Sequence, residues 1–478
     1  MSSEPANLRE AAALIRARKV SSVELTEAAL NRAKASKARL NAFIAIEEEE
    51  ALLAARQADA ALARDAANIG PLHGVPLAHK DMYDREGFIT GCGSKIRAGH
   101  LATGTSTVMH RLVDAGALSI GRLNMSEFAM GPTGHNAHHG RALNPIDPTR
   151  ITGGSSSGSA AAVGGGIVLA ALGSDTGGSI RLPAACCGIV GIKPTQGRVS
   201  RHGVMPLSFS QDCVGPLART VEDAYLILQL IAGADGYDTT CATIPPPAAL
   251  ADDLSCLRIG ILGGFFAKGL DEVVADAIAM TAGLLRGEVK AIGPVDGPDM
   301  PAIAELANVV AMAEAGAVHF DWMRQCPEDY GPQIRMRLSQ SLAIPAPIYV
   351  RALQIRAMML KDFLATAFQD ADLLIAPVMP FLPPRSDAVD IGDSPQMNRI
   401  VSAMTAFTRP FSFLGLPVVT LPVAASQDGL PIAVQIIAKP WREDLAASLA
   451  RRLEEKLELA PFQPIDATGK GLNPPCLS

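Results

Sequence analysis

Apolar and polar positions follow two different periods along this chain, and the switches between them mark helical and strand-bearing stretches. Residues 7–68 keep the helical period: Ser21-x-x-Glu24 is a capping-box pattern, and Val23, Leu25, Ala28, Ala29 and Leu30 follow at helical spacing. The Ala-rich run from Ala51 to Ala67 continues it, so 1–68 is expected to form a helical N-terminal layer. Gly70-Pro71 and Gly74-Val75-Pro76 break the pattern and lead into a first buried strand. Between Thr105 and Gly121, the residues Thr107, Val108, Leu112, Val113 and Ala117 make one helix face. Gly116 stops that helix, and a short strand follows around Leu118 to Ile120.

Residues 121–220 are dense in Gly, Ser and Pro yet also apolar, which predicts loops threaded between buried elements. A helix is expected from Thr220-Val221-Glu222-Asp223 to Ala232, a surface connection at Pro245-Pro246-Pro247, and a strand from Leu257 to Leu262. The stretch 235–370 is more variable in texture and largely helical. Leu373 to Val378 and Val418 to Pro422 read as buried strands, and 443–458 as an amphipathic helix, so 371–478 is a region of C-terminal strands and helix. No internal repeat, charge block or clean linker separates independently cored units. The expected architecture is therefore one large α/β domain over 1–478.

Composition narrows the partners. With 48% apolar and 19% charged residues, and with 43 Gly and 34 Pro below the range of low-complexity disorder, the chain is an ordered globular protein. Its 42 basic and 48 acidic side chains leave a net charge of −6, so it lacks the positive field with which proteins grip a phosphate backbone, and no nucleic-acid partner is expected. The eight cysteines have no paired CxxC spacing, which fits a reducing, cytoplasmic setting. An acid stands where a signal peptide has its positive charge. The most apolar stretch, Ala160 to Leu172, contains three glycines and falls short of the roughly 20 residues a membrane helix needs. Neither export nor a membrane is expected.

Three segments carry candidate chemistry. Gly153-Gly154-Ser155-Ser156-Ser157-Gly158-Ser159 reads as a solvated Gly/Ser loop or as an anion-binding nest, although it lacks the Gly-Lys-Ser/Thr ending of a nucleotide loop. In Gly173-Ser174-Asp175-Thr176-Gly177-Gly178-Ser179-Ile180-Arg181, two glycines before a serine let backbone N–H groups approach a carbonyl oxygen, which suits an oxyanion hole. Lys80 ends the apolar run Gly74-Val75-Pro76-Leu77-Ala78-His79, where burial favours a neutral amine able to accept a proton. The competing reading is a structural lysine salt-bridged to Asp81.

Together these segments resemble the amidase signature family, as do Asn124 to Gly131, Gly188 to Ser200 and Ser210 to Thr220, and the 24-residue gap from Ser155 to Ser179 is the family's spacing. The resemblance is densest over 70–230, the signature core, and resumes at Phe411 to Pro422 and Gly429 to Gln435. It implies a mixed, twisted β-sheet core covered on both faces by helices. It further implies a Ser-cisSer-Lys triad, with Ser179 as nucleophile, Ser155 as the bridging serine in a cis peptide and Lys80 as base. The oxyanion hole falls on the backbone N–H groups of Thr176, Gly177, Gly178 and Ser179, and Asp175 becomes a buried carboxylate supporting the loop. Arg181 reads better as a structural ion-pair residue than as a substrate contact. Phe128, Met130 and Gly131 lie in a segment resembling the substrate-channel wall, although core packing accounts for Phe128 and Met130 equally well.

Neither a metal nor an organic cofactor is expected. His135, His138 and His139 lack a carboxylate or Cys cluster that completes a ligand set. Cys186 and Cys187 read as buried small hydrophobes. The implied activity is cleavage of linear C–N acyl bonds in a small-molecule amide, with carbamate and ester possible variants. The alternative is the glutaminase component of a glutamine-dependent tRNA amidotransferase, its A subunit, which needs a cationic anchor for the glutamine carboxylate. Arg335 and Arg337 lie in the poorly matched 235–370 region, where the resemblance assigns neither of them to that anchor. The apolar run Ser341 to Pro347 fits aryl or alkyl amides better. The specificity pocket is expected from 128–134, 310–370 and 405–445, and a homodimer is a reasonable expectation for a cytosolic enzyme of this size.

Overall fold

Local propensity and burial meet in one wide sheet. The computed structural model describes residues 5–389 and 395–457. Among these, eleven strands are present: β1 (Phe43–Ile46), β2 (Pro76–Lys80), β3 (Leu118–Leu123), β4 (Ala170–Asp175), β5 (Val190–Lys193), β6 (Cys213–Ala218), β7 (Arg258–Leu262), β8 (Ala291–Val295), β9 (Leu373–Pro377), β10 (Val418–Ala425) and β11 (Pro431–Ala438). They join in the order β1-β3-β2-β4-β6-β5-β10-β11-β9-β7-β8. β2 runs parallel to β3 and β4, and β7 parallel to β8 and β9; the other neighbours are antiparallel. β2, β4, β5, β6, β9 and β11 are buried at every position, because helices cover both faces. On β4, Ala171 faces a core layer built with Ser22–Ala35 and Ser157–Gly164, while its neighbour Leu172 faces the opposite layer built with Val221–Ile231 and Glu443–Lys456. This is the single α/β domain with a mixed sheet that the sequence implied.

The N-terminal capping box forms with both arms in place: Ser21 Oγ accepts from Glu24 N–H at 3.0 Å, and Ser21 N–H donates to the Glu24 carboxylate at 2.8 Å. The expected helical layer of 1–68 needs one correction. Asn41 turns left-handed (φ 44°), and the four residues of β1 then pair with β3, a run too short to register against the surrounding helical period. β8 likewise interrupts the helical 235–370 stretch by pairing with β7. A second correction concerns apolar length. The helix Met300–Val318 is by length and composition long and apolar enough to cross a membrane, which the run at 160–172 is not. Here it packs against the helices Pro332–Ser341, Ala346–Thr366 and Arg409–Phe413, and its buried Glu314 accepts from Ser210 N–H and the Tyr349 hydroxyl, each at 3.0 Å. Cys476 and the end of the C-terminal region lie outside the described residues.

Candidate active site

Lys80 is the last residue of β2, and its side chain is fully buried. Nζ donates to Ser155 Oγ at 2.7 Å and to Ser174 Oγ at 2.8 Å. Burial pushes the amine down to about 7, against the opposing pull of the Asp212 and Asp175 carboxylates. Asp81, the neighbour in sequence, points elsewhere: it accepts from Arg122 Nη1 at 2.7 Å and from the N–H groups of Gly91 and Gly93. The strand ends at Lys80, and the chain turns at Asp81 toward its own partners, so the salt-bridge reading falls.

The Gly154–Ser155 peptide is cis, as the resemblance implied. Ser155 is buried, its carbonyl accepting from Ser126 N–H at 3.1 Å. The preceding glycines are needed for space. A Cβ on Gly153 (φ 71°) would lie 2.8 Å from the Pro183 backbone, and one on Gly154 would lie 2.5 Å from the Gly131 carbonyl oxygen. Ser179 sits half-buried at the head of the short helix Arg181–Cys187. Its loop is tied to the Ser155 loop by Ser156 N–H donating to the Ser179 carbonyl at 3.3 Å. The two hydroxyls, Ser155 Oγ and Ser179 Oγ, are not hydrogen-bonded to each other, a looseness common before substrate closes such contacts.

Asp175 organises the turn between them. It accepts from Gly178 N–H at 2.8 Å and Ile180 N–H at 3.2 Å, and it pairs with Arg181 through Nη2 at 2.9 Å and Nε at 3.0 Å. Burial alone would raise this carboxyl, but the Arg181 charge and its hydrogen bonds prevail and hold it at about 2. Of the four N–H groups the resemblance implies for the oxyanion hole, one already has an acceptor. Gly178 N–H is committed to Asp175, whereas the N–H groups of Thr176, Gly177 and Ser179 donate to no described protein atom. One N–H serves one strong acceptor. Arg181 is structural, as expected, with its other donors on the Thr408 carbonyl and Ser412 Oγ. Since both charges are fully buried, Arg181→Met is expected to destabilise the fold by about 3–5 kcal/mol, because it strands a carboxylate. A urea unfolding midpoint unchanged from wild type would contradict this.

Ser174, the second acceptor for Lys80, was not singled out in the sequence, although it stands in the same quoted segment at the end of β4. Of the two readings left open for Phe128, its burial fits core packing. It is 1% exposed, with its ring against His319, Trp322 and Tyr330. Met130 is buried too, but its carbonyl accepts from Arg337 Nη1 at 3.4 Å, and a Cβ on Gly131 would lie 3.8 Å from that same nitrogen. Arg335, by contrast, is exposed. Leu342 is exposed and Ile344 only half-buried, so the apolar run at 341–347 gives no support to an aryl or alkyl pocket. His138 pairs with Glu127 at 2.9 Å and His135 with Thr133, and burial pushes the Cys186 and Cys187 thiols up.

Comparison with known proteins fits this geometry. The profile of the Amidase family matches residues 24–446. The A subunit of the glutamyl-tRNA(Gln) amidotransferase of Methylococcus capsulatus is 38% identical over 475 residues, covering 94% of this chain and 96% of the relative. A solved structure described as a vestigial protein complex bearing on the origins of an s-triazine catabolic enzyme is 36% identical, with TM-score 0.88, over 94% of this chain and 98% of that one. The peptide amidase of Stenotrophomonas maltophilia is 28% identical, with TM-score 0.82, over 98% of each chain. A buried lysine against a cis-peptide serine, on a mixed sheet shared with these enzymes, places the chain among amide-cleaving hydrolases: it belongs to the amidase signature family.

Proposed function

We propose that the chain cleaves linear amides through an acyl-enzyme on Ser179, with Ser155 relaying protons and Lys80 as base. The observation that carries this reading is the buried Lys80 Nζ at 2.7 Å from Ser155 Oγ. Ser179 Oγ attacks the amide carbon as its proton passes to Ser155, whose own proton moves to Lys80. The N–H groups of Thr176, Gly177 and Ser179 receive the oxyanion. The proton then returns through Ser155 to the departing amine as the C–N bond breaks, and water repeats the sequence to release the acid. Because only neutral Lys80 accepts, and protonation prevails below its pKa of about 7, kcat/KM is expected to rise about tenfold per pH unit on the acid side and level off above. A profile flat through neutrality would remove the base assignment.

The amine released distinguishes two roles. The amidotransferase components among the relatives favour the second reading set out from sequence, in which ammonia is taken from glutamine for a partner enzyme. A free-standing amidohydrolase, with carbamate hydrolysis as a side activity, is the other, and the peptide amidase likeness supports it. Assay of the isolated chain against glutamine, neutral amides, esters and carbamates decides between them. Glutamine turnover that requires a partner fits the amidotransferase role, and broad hydrolysis by the isolated chain fits the free enzyme. A cytoplasmic setting and a homodimer remain part of this proposal, the latter tested by light scattering.

A further inference from the structure

Three stretches expected to build the specificity pocket each bring a residue to one place. Gly131 comes from 128–134, Arg337 from the helix Pro332–Ser341 and Arg409 from the start of the helix Arg409–Phe413. The Arg337 guanidinium lies against Met130 and Gly131, and the Gly131 carbonyl in turn closes on Gly154, the residue joined to Ser155. Arg409 runs along the oxyanion turn, where a Cβ on Gly177 would meet its Cγ at 3.7 Å. The preceding Thr408 locks that turn by donating its hydroxyl to the Gly177 carbonyl at 2.6 Å. Arg409 thus borders the Ser179 loop, and Arg337 borders the Met130–Gly131 segment that closes on the Ser155 loop.

Neither guanidinium has a carboxylate within ion-pair distance among the described residues, and Arg409 makes no side-chain hydrogen bond there. Glu127 is occupied by Ser94, His138 and Gly331 N–H, and Asp175 by Arg181. Burial and then the charge of Arg337 lower Arg409 to about 10, so the two cations sense each other. Two half-buried like charges without a counter-ion repel, and an anion between them relieves both.

We propose that Arg337 and Arg409 form the anion end of the substrate site, so that the amide cleaved at Ser179 carries a carboxylate with no ammonium beside it. This rests on the triad reading and, because it disfavours glutamine, sides with the free amidohydrolase of the two roles. A zwitterionic amide such as glutamine brings a positive charge toward two guanidiniums, while the neighbouring carboxylates Glu127, Asp175 and Asp212 are each already engaged by other donors. An amide of a dicarboxylic acid does not.

Three primary amides of one length test this: glutaramate, glutamine (the same skeleton with an α-ammonium) and pentanamide (a methyl in place of the carboxylate). The wild-type enzyme is expected to favour glutaramate over each of the others by at least about tenfold in kcat/KM. In Arg409→Gln the ratio of glutaramate to pentanamide should fall about 10- to 100-fold, with partial recovery in Arg409→Lys, which keeps charge but not the planar fork. Equal or better turnover of glutamine overturns the proposal. Calorimetric binding of glutarate gives a readout independent of turnover. A dissociation constant raised at least about tenfold by either Arg409→Gln or Arg337→Gln supports the site even if Ser179 proves not to be the nucleophile, and equal binding by wild type and both variants rejects it. Because the Arg409 side chain bonds to no described protein group, its replacement should leave the melting temperature unchanged or higher.

Discussion

Ser179→Ala is expected to lower kcat by at least about 10⁴-fold while leaving the unfolding free energy within about 0.5 kcal/mol of wild type. The asymmetry follows from where the residue sits. Ser179 is half-buried, and its hydroxyl makes no hydrogen bond to a described protein group, so alanine removes little that the folded state uses. Its carbonyl, which does hold the neighbouring loop through Ser156 N–H, is kept. What disappears is the only atom proposed to bond to the acyl carbon. Residual catalysis would come from the oxyanion N–H groups and substrate binding. Steady-state assay beside a denaturant titration separates the two effects, and turnover within tenfold of wild type would remove Ser179 from the reaction.

Lys80→Met should cost about 10²–10⁴-fold in kcat/KM, the range for losing a positioned base, and should abolish the rise in rate through about pH 7. Methionine nearly matches the buried length of lysine without the amine. Ser155 and Ser174 each lose a donor, but each hydroxyl keeps its own O–H to donate and is neutral, so the fold is expected to survive. The pH profile is the telling measurement, because a merely structural lysine would change the rate at every pH by one factor. A variant that is slow but keeps the wild-type profile would transfer the base role to another group. Asp212, buried and bonded to Thr176 and to the N–H groups of Leu207 and Ser208, is raised by burial and is the titratable neighbour to examine next.

Much of the fold was legible because its signals are local. The Ser21–Glu24 cap, the Gly116 stop (φ 87°), the strand ending at Lys80 and the C-terminal helix Glu443–Lys456 each depend on a few consecutive residues. β1 and β8 were missed since four or five residues inside helical surroundings acquire strand geometry only from the neighbours they pair with. The candidate site divides in the same way. Its three segments stand out in the sequence by their glycines and hydroxyls, but which atoms meet does not.

Residue order alone shows which groups are available: a lysine closing an apolar strand, two serines set among glycines 24 residues apart, and an aspartate followed by an arginine six positions on. How they are used depends on the folded chain. It gave Lys80 to serines 75 and 94 residues away in place of the adjacent Asp81, assigned Gly178 N–H to Asp175, and set Arg409 beside Gly177 and Arg337 beside Gly131. The reason is range. Propensity and period act over one or two turns of chain, whereas a hydrogen bond near 2.8 Å between distant segments is set by how the whole sheet closes and by which polar groups burial forces to find partners.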